Sequence, residues 1–170
     1  MFNLTTNYIM YNANLIAQYF INKYGSSGNI TPMKLIKLVY IAHGWCLGLT
    51  GKPLITETPE AWKYGPVIPS IYAKFKSYRN NPILPLEIST DNLNIGNTDK
   101  EFLDKIWLTY GKETGTQLSN RTHQPNTPWS IIWNKLENGE MKYSFQIPND
   151  LIKEHYRRIV EGNKMSKVSN

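Results

Sequence analysis

The chain has 170 residues, with 19 Lys and Arg against 13 Asp and Glu, a formal net charge of +6 and an isoelectric point of about 9.3. That length suits one domain, which can bury about 70% of its unfolded surface and build a core without staples. The single cysteine, Cys46, excludes an internal disulfide, and on the apolar side of a patterned helix it reads as a buried, inert thiol in a reducing cytoplasm.

Residues Met1 to Asn7 lack the basic and apolar regions of a secretory signal, so a cytoplasmic location is expected. The most apolar run, Leu35 to Leu49, is shorter than a bilayer span and contains Lys37, His43, Gly44 and Gly48, which argues against a membrane partner.

In chain order, Asn12 caps a first helix carrying Leu15, Ile16, Tyr19 and Phe20 at helical spacing, with Gly25 as its stop. Thr31 as N-cap and Pro32 at the first helical position open a second helix that runs to Gly51. Its Leu35, Leu38, Val39, Ala42, Trp45, Cys46 and Leu49 form a stripe that places it at the centre of the fold. Gly44 and Gly48 each cost about 1 kcal/mol against Ala in a helix interior, so a neighbouring helix or the Trp62 turn is expected to approach them closely.

From Leu54 to Ile68 the pattern is extended, and Trp62 and Tyr64 alternate with Lys63 so that both rings share one side of a strand, fixed inward by Gly65-Pro66. Pro69 begins a helix with Ile71, Tyr72 and Phe75 inward, ending near Arg79. Asn80 to Asn97 reads as a long loop or loose strand pair. Thr98-Asp99-Lys100-Glu101 has the form of a capping box ahead of Phe102, Leu103, Ile106, Trp107 and Tyr110, with Gly111 as the stop. A short helix spans Thr116 to Arg121, and Trp129, Ile132, Trp133 and Leu136 mark another. Met141, Tyr143, Phe145 and Ile147 alternate as in a half-buried strand. A last helix carries Leu151, Ile152, Tyr156, Ile159 and Val160, followed by a polar tail, 161–170. The expected fold class is mainly α, one compact helical domain of residues 1–170 around a central apolar helix with a small β element, its core spanning about 12–160.

Chemistry has few candidates. His43, His123, His155 and Cys46 show no metal-ligand spacing, and there is no phosphate-binding glycine motif, so neither metal nor cofactor is expected. Thr122-His123 could pair a nucleophile with a base, but no nucleophile elbow accompanies it. His123 reads better as a structural histidine bonded to a helix end or a backbone carbonyl. Trp62, Tyr64 and Trp129 fit core packing better than interface anchoring. The cations are scattered without a basic run, which makes nucleic acid the less favoured partner. Lys34 and Lys37 oppose the dipole of the second helix by a few tenths of a kcal/mol, roughly, and read as solvated or as touching an acidic surface. With Lys74 and Lys76 they form a candidate exposed, basic partner-binding rim.

The run Thr31-Pro32-Met33-Lys34-Leu35-Ile36-Lys37-Leu38, then His43-Gly44-Trp45, Ala61-Trp62-Lys63-Tyr64-Gly65-Pro66-Val67, Thr122-His123 and Pro128-Trp129 together resemble the Panacea (SocA-like) antitoxin domain of bacterial and phage toxin–antitoxin pairs. The resemblance spans nearly the whole chain and is weakest from Asn80 to Asn97, where partner specificity could reside. It implies a small helical domain that is not an enzyme and that directly binds and neutralises a cognate protein toxin, encoded by an adjacent gene. Trp62, Tyr64, Gly65, Pro66, Thr122, His123, Pro128 and Trp129 are the signature positions and are expected to hold the fold. Two alternatives stay open: a proteolytic adaptor delivering a bound toxin to an ATP-dependent protease, and a phage-encoded enzyme using His123. The residues do not specify an oligomeric state.

Overall fold

The computed structural model describes residues 8–86, 88–139 and 145–168, with side chains described as far as 164. Along them run α1 (Ala13–Tyr24), α2 (Pro32–Thr50), a hairpin of β1 (Glu60–Trp62) and β2 (Gly65–Val67), α3 (Pro69–Phe75), α4 (Asn97–Tyr110), α5 (Gly115–Thr122), α6 (Pro128–Glu137) and α7 (Asn149–Val168). The fold is mainly helical, and α2 is its axis, packed on by α1, α3, α4, α5, α7 and β2.

The ends of α2 follow from its sequence. The Thr31 hydroxyl accepts the Lys34 N–H at 3.4 Å and Pro32 supplies the first helical residue. At the far end Gly51 takes a left-handed φ of 74° and its N–H returns to the Leu47 carbonyl at 2.8 Å. Between them burial is continuous from Lys34 to Gly44, not confined to one stripe. A helix covered on every side needs apolar residues on every side, and Ile36, Tyr40, Ile41 and Leu47 supply the faces that the stripe left out. Two stripe positions are corrected accordingly. Leu49 is 57% exposed, and Cys46 is half-buried, not fully enclosed, with its thiol pushed up mainly by desolvation.

Gly44 and Gly48 receive α7. A methyl group added at Gly44 would stand 2.1 Å from Tyr156 Cε2, and one at Gly48 would meet Tyr156 Cβ at 2.6 Å and its carbonyl carbon at 2.9 Å. The side chain of Tyr156 thus fills the first gap and the α7 backbone closes over the second. Beside this seam His43 is buried; its Nδ1 lies 3.4 Å from the Ile55 N–H, while Nε2 lies 2.9 Å from Asn149 Oδ1.

Several local expectations meet a tertiary competitor. Gly25 ends α1 in a right-handed conformation that passes into a 3-10 turn, Gly25–Ser27, and the left-handed residue is Gly28 with φ 68°. Helix α4 starts at Asn97 behind Gly96, which has no side chain to cap it, so Thr98 lies inside the helix and not at its N-cap, while Asp99 accepts from the Tyr11 hydroxyl. The reciprocal capping box lies instead at Thr114 and Gln117, opening α5. Helix α3 continues as a 3-10 turn, Lys76–Tyr78, and leaves Tyr72 exposed. The segment after it is an irregular loop held by the buried Ile83 and Ile95.

Gln146 bridges Glu60, and Ile147 N–H donates to the Pro59 carbonyl at 2.8 Å, so this piece lies antiparallel beside β1. Met141 and Tyr143 fall outside the described residues. Helix α7 extends to Val168, through positions expected to form a tail, although 161–164 are exposed as polar residues should be. Among the described residues no helix is long and apolar enough to cross a membrane.

Candidate functional site

The hairpin draws the sequence motifs together. Trp62 pairs with Gly65 across a two-residue turn of Lys63 and Tyr64, and Gly65 adopts φ 102°, which favours glycine. Tyr64 therefore belongs to the turn and not to a strand; it is 65% exposed, which corrects the expectation that it shares a buried face with Trp62. Three side chains from separate helices hold the hairpin backbone. Lys37 Nζ of α2 donates to the Pro66 carbonyl at 2.9 Å, Ser119 Oγ of α5 to the Tyr64 carbonyl at 3.0 Å, and Trp129 Nε1 of α6 to the Trp62 carbonyl at 2.8 Å. A methyl group at Gly65 would lie 2.6 Å from Lys37 Nζ and 3.0 Å from both Thr122 Oγ1 and His123 Cε1. Ser119 escaped the sequence reading, and its position four residues before His123 on a short helix is the signal that could have found it.

His123 Nδ1 lies 2.6 Å from the Ser119 carbonyl, and because a carbonyl only accepts, this nitrogen carries the proton. Its ring packs on Trp129 at 3.9 Å between centroids, and Trp129 stacks in turn on Trp133. The Thr122 hydroxyl donates to the same Ser119 carbonyl at 2.7 Å. Among the described residues, no hydrogen bond joins the Thr122 hydroxyl to His123, so the suggested nucleophile and base are neighbours without a proton path between them. Thr127 caps α6 ahead of the buried Pro128, and its hydroxyl also donates to the Thr122 carbonyl at 2.7 Å.

The expected basic rim is only half present. Lys74 and Lys76 are exposed, but Lys34 and Lys37 are each 2% exposed. Their exposure is corrected for a physical reason: each ammonium reaches a backbone carbonyl contributed from outside α2. Lys34 Nζ donates to the Gly111 carbonyl at 2.6 Å and lies 5.0 Å from the centre of the Trp107 ring. Gly111 caps the C-terminal end of α4, where a cation is favoured. Burial pushes the Lys34 ammonium down, and it pushes Lys37 further, to about 7.

An apolar cleft of about 450 Å³ opens between the start of α2, the hairpin and the end of α3. Trp62 and Tyr72 meet edge to face along it at 5.0 Å. Arg79, at its rim, has φ 53° and ψ −113°, inside a turn closed by the Asn81 N–H and the Tyr78 carbonyl at 2.9 Å. A non-glycine residue held there costs about 1–3 kcal/mol. Among the described residues, no group of three His, Cys, Asp or Glu could hold a metal ion.

Residues 35–130 match the family described as antitoxin SocA-like, Panacea domain. The chain is also 31% identical, over 137 residues, to Antitoxin SocA of Caulobacter vibrioides (strain NA1000 / CB15N), an alignment covering 75% of this chain and 72% of that protein. No solved structure matches it.

Proposed function

The chain belongs to the SocA-like antitoxin family with its Panacea domain, and we propose that it neutralises a cognate toxin by binding it directly, in the cytoplasm, without turning over a substrate. The observation that carries this reading is where the family match falls. Residues 35–130 contain Lys37, the hairpin, Ser119, Thr122, His123 and Trp129, which together fix the turn beside the cleft. The segment shared with antitoxins is therefore the segment that builds a rigid, concave surface with an exposed tyrosine, a form suited to holding another protein.

In this reading Trp62, Gly65, Pro66, Thr122, His123, Pro128 and Trp129 hold the hairpin, while Tyr64 is free to meet the partner. The partner is a protein toxin encoded beside this chain. Expressing each neighbouring gene with and without this one tests the proposal. Growth arrest by one neighbour, relieved by the antitoxin and accompanied by a co-purifying complex, is expected. Absence of a toxic neighbour, or toxicity that persists despite folded antitoxin, would overturn it.

A further inference from the structure

The cleft has two unlike parts. Ile36, Trp62, Val67 and Tyr72 line its apolar part. The exposed Lys63, Lys76 and Arg79 also line it, and among the described residues no Asp or Glu does so. Among the described residues none of these three cations has an ion-pair partner; Lys63 Nζ lies 5.7 Å from the centre of the Tyr64 ring. Charge of one sign around an apolar hollow attracts carboxylates and gives a large side chain a place to desolvate. Arg79 adds an independent sign. It stands at a positive φ that glycine would occupy without strain, and strain of this kind concentrates at binding sites.

We infer that this cleft docks an acidic segment of the partner protein, one large apolar side chain entering beside Trp62 and Tyr72 while flanking Asp or Glu side chains meet Lys63, Lys76 and Arg79. The inference rests on the toxin-binding reading above, and it gives that partner a surface and a chemistry. A protein segment fits better than nucleic acid, because the three cations cluster around one hollow and do not follow a strand, and the hollow holds only a few side chains.

The test uses the full chain and the purified product of the neighbouring gene whose toxicity it relieves. Two variants are compared with wild type by calorimetry or biosensor at two salt concentrations, and by thermal melting of the free protein. Arg79→Gly removes a rim charge and relieves the backbone, so its melting temperature should hold or rise while toxin affinity falls several-fold. Lys63→Glu combined with Lys76→Glu should weaken binding tenfold or more and flatten its salt dependence. If wild type binds the toxin and both folded variants bind equally well, the cleft is not the docking site, and the toxin-binding reading stands. If wild type neither binds nor rescues, both readings fail together. A change of oligomeric state in the charge-reversed protein, with toxin binding intact, would assign the face to self-association and overturn the inference.

Discussion

The two ends of α2 are packed in opposite ways. Its first turns send Lys34 and Lys37 inward to backbone carbonyls of the α4 cap and the hairpin. Its later turns present Gly44 and Gly48, so that the ring and backbone of α7 fill space that side chains would otherwise occupy. One end is closed by long side chains whose polar heads are satisfied; the other is closed by having no side chains. Residue type alone would have put the lysines outside. What the neighbouring element contributes, a carbonyl or a ring, decides the arrangement.

The largest expected effect tests the charged end. Lys37 is held at about 7 in the folded protein, below its ordinary 10.5. Between these values the unfolded chain binds a proton that the folded chain releases, so this group favours folding above pH 10.5 and that contribution is lost as pH falls through 7. The ceiling is on the order of 5 kcal/mol. Lys37→Met removes the titration. Its stability relative to wild type, from urea midpoints, should be most favourable at pH 6 and decline steadily toward pH 10; a difference constant with pH would mean that the ammonium is not paying for its burial.

At the glycine end Gly44→Ala should lose about 3 kcal/mol from overpacking against Tyr156, outweighing about 1 kcal/mol of helix propensity. In a Tyr156→Ala background the ring is gone, and the same substitution should become neutral or stabilising. Gly48→Ala should find no such relief, since the α7 backbone itself stands in the way. A double-mutant cycle by thermal or urea melting separates the two cases, and equal rescue at both glycines would contradict backbone closure. The smallest effect belongs to the entry of α2. Thr31→Ala removes an N-cap bond of 3.4 Å and should cost about 1 kcal/mol or less in the same melts; a larger loss would give Thr31 a second role.

Features decided within a few residues were legible in the sequence. Asn12 and Thr31 cap their helices, and the cost of two mid-helix glycines rightly demanded a close neighbour. Where a distant group competes, local reasoning gave out. The box expected at Thr98 gave way to a start at Asn97 behind Gly96, whose N–H donates to the Tyr11 hydroxyl 85 residues away, and the carbonyls that receive Lys34 and Lys37 lie 77 and 29 residues along the chain. Of the candidate site, the signature islands around Lys37, Trp62 and Trp129 were visible as motifs, but their convergence on one hairpin was not. Alternation placed Tyr64 on a strand because it cannot register a turn that Gly65 permits at φ 102°. The strained Arg79 follows an ordinary helix end in the sequence, and only its backbone geometry singles it out.

The three bonds onto the hairpin also carry a consequence for the order of assembly. They span 29, 55 and 67 residues of chain, so each closes a long loop whose entropy must be met before the contact contributes. The hairpin cannot take its final seat until α2, α5 and α6 are all in place, and the concave face is therefore a product of nearly complete folding, not of a local unit that forms early. Occupation of that face then selects the folded chain over every partly assembled form. A partner bound there would raise the melting temperature of the whole domain in proportion to the logarithm of its free concentration over its dissociation constant, making the domain most durable while that partner is at hand.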